Sequence, residues 1–557
     1  MRSKLRFFIV ALAVGALVFA VAGCGGSDDE SGAGGGTTNA TETGVGDLSD
    51  NQVLTISWGA EPPSLDPGLA TDTTSSNVIL NIMDPLVKLG DDLEPIPSLA
   101  ESWDENGKVV TFHLRSDGKW TNGDPVTAQD FVYSWKRTLS PELAADYAYQ
   151  LYGIQGATEY NSCDAKKQDC DALADKIGVE AVDDKTLKVT LTSEQPWFVQ
   201  QAAHHSFLAV NKKAIDQWGD KWTDPSHIVT NGPFKLAVWR HDAQLDLTKW
   251  DEWRDADDVT LTRINGKIIT DGTTAEQAYE AGDIEVDTTG LPPADIDRWK
   301  PEEDYQQYDG LGTYYYGFNV KNITDVNQRR AMAFAIDRQS IIDNIAKAGQ
   351  TPAVGFTPKG MPGFDEITTD YLSTGPEGLD KAKELMDKVQ SPKKDVTLFI
   401  NDSPGHKEIA VAVQSMWQKL GIKTTIKQQE WAQFLEFLGP PPDPVVSTYR
   451  LGWIGDFVDD INFMELWTCK SGNNNTNFCD PEYDKLVAKA KNTPANEARY
   501  KIYKQLEDKL TGPNGAMPIA PIYWYTYVQL EKPWVSKTFN INLLDQFDLT
   551  QVKIEEH

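Results

Sequence analysis

The 557-residue chain carries 52 Lys plus Arg against 83 Asp plus Glu, a formal net charge of -31. Such a surface repels DNA and RNA, which bind by handing their counterions' place to Lys and Arg, so a nucleic-acid partner is excluded. With 17 Trp, 19 Tyr and 20 Phe, 40% hydrophobic residues and a mean hydropathy of -0.44, the chain is too aromatic for disorder and reads as a water-soluble body of more than two folded units.

At the N-terminus Arg2, Lys4 and Arg6 precede an apolar run from Phe7 to Ala20, the basic region and short hydrophobic region of a secretory signal, too short to span a bilayer comfortably. Val21-Ala22-Gly23-Cys24 follows and resembles the lipobox of bacterial lipoproteins, in which the Cys becomes the acylated mature N-terminus. The alternative is an ordinary signal with an incidental Cys. Removal of residues 1–23 takes three cations and no acid, moving the net charge from -31 to -34. From Gly25 to Asp50 there is no aromatic residue and little large apolar surface, so 24–50 is expected to be a lipidated Cys and a flexible tether, spanning roughly 5–6 Å × √26, about 28 Å.

Cys163 and Cys170, and Cys469 and Cys479, lie in polar, turn-rich segments. Each pair is a disulfide candidate closing a small loop, as expected outside the cytoplasm. A zinc site is the weaker alternative, since neither pair has the CxxC spacing and His residues are distant in sequence. Residues 109–139 read as an alternating strand, two Gly-containing turns and a helix that starts on a Thr127–Asp130 capping box with Phe131 and Trp135 on one face. Val396, Leu398 and Ile400 alternate as a strand. Ser403-Pro404 offers a helix start, Ile409, Val413, Met416, Trp417 and Leu420 form one stripe, Gly421 ends it, and Ile422, Thr424 and Ile426 make the next strand. A strand–helix–strand unit implies parallel pairing, and ligands of such sheets sit outside the strands' carboxyl ends, here Asn401 to His406. The fold class is therefore α/β, or mixed α and β, with at least two lobes. No fixed-period repeat and no further apolar run of membrane-spanning length occurs.

Seven stretches then occur in a characteristic order: Glu61-Pro-Pro-Ser-Leu-Asp-Pro67, Pro97-Ser-Leu-Ala-Glu-Ser-Trp103, Thr111-Phe-His-Leu-Arg115, Trp120 to Trp135, Asn231-Gly-Pro-Phe-Lys-Leu236, Tyr314-Tyr-Tyr-Gly-Phe-Asn319 and Gly452-Trp-Ile-Gly-Asp-Phe457. Through them the chain, from Val53 to about Val535, resembles the ABC-transporter extracellular solute-binding proteins of the oligopeptide, dipeptide and nickel cluster, closest to oligopeptide-binding lipoproteins. The resemblance implies a two-lobed periplasmic-binding-protein-like α/β fold with an additional domain, hinged closure over an extended peptide, and no catalytic activity. It places the main lobe on 51–73, 194–311 and 524–557, the extra domain on 74–193 and the second lobe on 312–523.

Val445 to Asp456 reads as a strand entering a turn, so Arg450, Gly452, Ile454 and Asp456 share a face, with Arg450 and Asp456 no more than about 20 Å apart, room for an extended tri- or tetrapeptide held at both ends. A buried peptide amino group needs an anionic partner. Asp456 matches the family residue that supplies it. The carboxylate end needs cations: Arg450 matches one family position, and its planar fork suits a carboxylate. His406, in a first helical turn where the dipole favours anions, matches a His that serves longer peptides. Trp431 and Trp453 match pocket positions, Gly452 leaves backbone open for strand pairing with the ligand, and Glu61 and Tyr133 are further candidates. Where oligopeptide-binding members carry a cysteine pair near the cleft, this chain has Gly312 and Ile454.

Rival readings have less support. Neither HExxH nor GxSxG occurs, the seven His residues show no ligand spacing, and the adjacent acids Asp456, Asp459 and Asp460 do not set a glycosidase separation, so a secreted hydrolase is remote. The same transport role with another cargo (dipeptide, cell-wall peptide, nickel chelate or oligosaccharide) stays open, as does an adhesin or chaperone. No cofactor and no metal is expected. The expected partners are a short peptide, ABC permease subunits and the membrane through the lipid anchor, for a monomer on the extracytoplasmic side.

Overall fold

A computed structural model describes residues 46–368, 371–403, 405–439, 442–494 and 496–557. The expected leader, Cys24 and most of the expected tether lie outside the described residues. The described residues include Gly46–Asp50, the last five residues of the expected tether. There the Gly46 amide donates to Glu555 Oε1 (2.7 Å), the Ser49 amide to the Ile554 carbonyl (2.9 Å) and the Glu556 amide to the Asp47 carbonyl (2.8 Å), so the segment is stitched antiparallel to the C-terminus. The correction has a physical reason. Backbone pairing holds a polar segment that cannot order itself by burial.

In chain order the elements that frame the site are β1 (Val53–Ser57), α1 (Thr73–Ile82), β2 (Ala100–Asn106), β3 (Val109–Leu114), α2 (Ala128–Thr138), β4 (Val179–Asp183), β5 (Thr186–Thr190), β6 (Phe234–Arg240), β7 (Gln244–Lys249), β8 (Arg263–Lys267), β9 (Val286–Asp287), β10 (Tyr305–Phe318), β11 (Asp395–Asn401), α3 (His406–Gln418), β12 (Lys423–Gln429), α4 (Trp431–Leu438), β13 (Thr448–Ile454) and β14 (Ile519–Glu531). Among the described residues one sheet runs β12-β11-β13-β10-β14-β9-β1-β8-β7-β6, with Thr351–Pro352 added against β14, and a separate sheet runs β2-β3-β5-β4.

The local logic follows the sequence. In β3 Val110, Phe112 and Leu114 are buried while the residues between them are not, the period-2 pattern of a strand with one covered face. Asp130 accepts from the Thr127 amide (2.8 Å) to start α2, and Phe131 and Trp135 are buried edge-to-face at 6.4 Å. Arg137, at the other end of α2, forks onto Asp66 (2.6 and 3.0 Å), which also accepts from the Trp222 indole. The Glu61–Pro67 motif is thereby pinned to the helix. β11, α3 and β12 form the expected unit, with parallel pairs from Asp395↔Lys423 to Asn401↔Gln429. The helix start differs from the expectation. Gly405, at φ +79°, is the N-cap in place of Ser403, because only glycine takes the left-handed conformation that turns the chain into His406 without strain.

β10 and β14 are the longest strands and belong to both halves of the large sheet. They pair at Tyr305–Asp309 with Leu530–Thr526 and again at Thr313–Gly317 with Trp524–Ile519. Between the two stretches Leu311 leaves β14. Its amide donates to the Leu543 carbonyl (2.7 Å) and its carbonyl accepts from Gly455 (2.8 Å). Glycines flank it because a Cβ at Gly310 would stand 2.4 Å from the Tyr527 ring and one at Gly312 would stand 2.8 Å from the Trp453 carbonyl. The structure also bonds Cys163 to Cys170 and Cys469 to Cys479, with Cα–Cα separations of 5.8 and 4.6 Å.

Candidate functional site

β13 pairs with β10 along its whole length, from Thr448↔Phe318 to Ile454↔Gly312, but with β11 only at Thr448 and Tyr449. Beyond Tyr449 one edge of β13 has no strand beside it among the described residues, and this edge opens on a cavity of about 1060 Å³. Short peptides with their water fit such a volume, which lies at the top of the range of about 300–1,000 Å³ usual for small-molecule sites. Residues of both parities, Leu451 and Trp453 as well as Arg450, Gly452, Ile454 and Asp456, line it. The expected restriction to one face does not hold, because the cavity meets the strand's edge. Such an edge offers backbone groups to an extended ligand.

Asp456 lies just past β13 and is 8% exposed. Its carboxylate accepts from Asn462 Nδ2 (2.7 Å), Gln150 Nε2 and the Tyr147 hydroxyl (3.3 Å), and its Oδ1 lies 3.2 Å from His204 Nε2. The Ser206 amide reaches His204 Nδ1, which therefore acts as acceptor, so the His204 proton sits on Nε2 and faces Asp456. The carboxylate is thus held by neutral donors, and a cationic group in the cavity would be its first full counter-charge. Tyr147 and Trp453 stack at 6.0 Å and bridge the segment around residue 147 to β13, while the Trp453 indole donates to Asn462 (3.0 Å).

Arg450 lies at the opposite end of the β13 edge. Its Nη1 donates to Asn401 (3.1 Å), its Nη2 to the Tyr525 hydroxyl (2.8 Å), its guanidinium lies 4.5 Å from the Tyr314 ring centre, and its buried Nε has no partner. Among the described lining residues it is the one Arg or Lys, against Asp72, Asp146, Asp402, Glu436, Asp456 and Asp545. His406 also lines the cavity, but not as a cation. Burial, and then the neighbouring Arg450, pull its imidazole well below the ordinary His range, so near pH 7 it offers a neutral N–H. Trp431 lines the wall at the first position of α4.

Gly452 has a role the sequence did not suggest. A Cβ there would stand 2.1 Å from the Tyr525 hydroxyl, so its absence lets Tyr525 reach Arg450. Two candidates lie away from the cavity. The Glu61 carboxylate is occupied by the Trp239 indole (2.9 Å), His241 Nδ1 (2.6 Å) and the Asp242 amide (3.0 Å), and so fixes a loop. Tyr133 packs on the core under Lys212, whose ammonium is 5.3 Å from the ring centre. Sequence reading missed His204, Gln150, Tyr147, Asn462 and Tyr525, and named Asn401 only as the edge of a segment near the cleft. No spacing rule connects them to β13, although the adjacent pair His204-His205 was visible.

The buried acids give the fold a pH signature. Burial raises Asp545 and Glu531 to about 7 and Asp146 and Asp287 to about 6. A raised carboxyl binds its proton more tightly folded than unfolded, so this stability is full below about pH 4 and is lost as pH rises through 6 to 7. His205 and His406, lowered by burial, act oppositely up to about pH 6.5 but are fewer. The melting temperature is expected to fall between pH 5.5 and pH 8 in a buffer series at fixed ionic strength. A flat or rising profile contradicts these assignments.

Comparison with known proteins matches these features. Residues 94–475 match the model of the bacterial extracellular solute-binding proteins, family 5. The chain is 35% identical over 510 residues to the oligopeptide-binding protein OppA of Bacillus subtilis, covering 88% of this chain and 91% of that one. Haemophilus influenzae OppA in complex with RPPGFSPFR superposes with a TM-score of 0.84 at 29% identity, covering 91% of this chain and all of the other. The murein tripeptide-binding protein MppA in an unliganded open form, 30% identical and covering 92% and 99%, gives only 0.62. With its two-lobed α/β fold, the chain belongs to the family 5 extracellular solute-binding proteins of ABC transporters, in the oligopeptide-binding cluster.

Proposed function

We propose that this protein captures short peptides in extended form and delivers them to an ABC permease, tethered to the outer face of the cell membrane through Cys24. The observation that carries the reading is the β13 edge, with Asp456 at one end, Arg450 at the other and unpaired backbone between them. Asp456 neutralises the peptide amino group, Arg450 and the neutral N–H of His406 take the carboxylate, and Trp431 and Trp453 wall the side-chain space, which water fills around small residues. The lobes are assigned as 51–73, 194–311 and 524–557 against 312–523, with 74–193 appended. The passage of β10 and β14 through both halves of the sheet supports the edges near 311 and 524. Membrane attachment falls to the anchor, since among the described residues no helix is long and apolar enough to cross a bilayer.

Chemistry at the site also favours a receptor over a hydrolase. Ser206, His204 and Asp456 are in contact, with Ser206 Oγ 2.8 Å from His204 Nδ1, yet Ser206 is 2% exposed and does not line the cavity. Its own amide occupies the ring nitrogen that would have to take the hydroxyl proton. Native mass spectrometry of the protein as purified tests the proposal. Adducts of a few hundred daltons that fragment as peptides are expected, or, after unfolding and refolding, a rise in melting temperature with tri- to pentapeptides. If no peptide adduct appears and no peptide of the panel shifts the melting temperature, the reading is wrong.

A further inference from the structure

The cavity wall holds an acid that the two-ended grip leaves unused. Asp72 caps α1, its Oδ1 accepting from the Ser75 amide (3.0 Å). Its Oδ2 is buried and has no hydrogen-bond partner, although Ser75 and the Trp431 indole flank it, and the residue is 8% exposed where it lines the cavity. Burial holds this carboxyl above the usual range, and no cation among the described residues tempers it. Asp545, on the same wall, reaches Thr73, the residue next to Asp72, and also has no cationic neighbour. A buried carboxylate oxygen without a donor is costly, and a ligand cation that meets it recovers part of that cost.

The surroundings indicate which ligand group that is. Trp431 flanks Asp72, and the Tyr147 hydroxyl lies within electrostatic reach of both Asp72 and Asp456. The acid therefore stands beside the amino-terminal end of the cavity between aromatic side chains. An anionic tip between aromatic faces suits a cation carried on an apolar stem, which is the build of Lys and Arg. A divalent cation fits less well, because among the described residues no cluster of three His, Cys, Asp or Glu side chains is placed to hold one.

From this geometry we infer that Asp72, with Asp545 beside it, is a specificity-determining subsite for a Lys or Arg side chain near the amino terminus of the bound peptide. The inference rests on the peptide-binding reading above. Isothermal titration of the full chain, refolded free of ligand, tests it with tri- and tetra-alanine and analogues carrying Lys or its uncharged isostere norleucine at each position in turn. At one position near the amino terminus Lys is expected to bind about tenfold or more tighter than norleucine, and in Asp72→Asn that ratio is expected to fall towards one. Asn keeps a helix cap while removing the charge, so α1 is retained. A crystal structure of the unmutated protein with the favoured peptide provides an independent check, with the ammonium expected within 4 Å of Asp72. If the alanine peptides bind but Lys is nowhere preferred, or the ratio survives Asp72→Asn, or the ammonium lies elsewhere, the subsite is overturned and peptide capture stands. If none of the peptides binds, both fail.

Discussion

Replacing Asp456 by Asn is expected to weaken binding of a free-amino tri- or tetrapeptide by at least about 30-fold, about 2 kcal/mol or more, while an N-acetylated analogue changes little. The isosteric amide keeps shape and volume but removes the one full negative charge among the donors Asn462, Gln150, Tyr147 and His204. An ammonium drawn out of water then meets only dipoles, and its desolvation goes uncompensated. The acetylated peptide carries no such charge and is the internal control. An equal loss for both peptides would mean that Asp456 holds the lobes in place without touching the ligand's amine.

The second large effect is expected from one methyl group. Gly452→Ala places a Cβ 2.1 Å from the Tyr525 hydroxyl and 2.9 Å from its ring, an overlap that β13 cannot relieve while paired along its length to β10. Overpacking of this kind costs about 1–3 kcal/mol. Here the atom displaced is also the acceptor for Arg450 Nη2, so peptide affinity and melting temperature should fall together. Tyr525→Phe removes the clashing oxygen, and in the double variant the two losses should be clearly less than additive. Additive losses, or a Gly452→Ala protein that binds peptide and melts like the unmodified one, would disconnect Gly452 from the Arg450 end of the site.

What was legible in the sequence follows the range of the forces involved. The β11–α3–β12 unit, the Thr127 capping box and the alternation of β3 are set by residues a few positions apart, and each stands where periodicity placed it. That Arg450 and Asp456 line one cavity follows from their belonging to one strand and its turn. The residues that hold Asp456 were not legible. Gln150 is 306 positions away, and its contact exists only because the chain folds back on itself. Glu61 and Tyr133 show the opposite error. They sit in stretches that carry the family resemblance, yet one carboxylate fastens a loop and one ring covers the core. His406 lines the cavity, but burial that only the fold creates lowers its proton affinity, which the sequence did not show.

The seam between Gly46–Ser49 and Ile554–Glu556 governs how the molecule can be handled and held. Gly46 therefore lies beside the last residues of the chain. A tag fused after His557 would leave the body next to this seam, two residues beyond Glu555. Tension applied at Gly46 would load first the three amide hydrogen bonds of this seam.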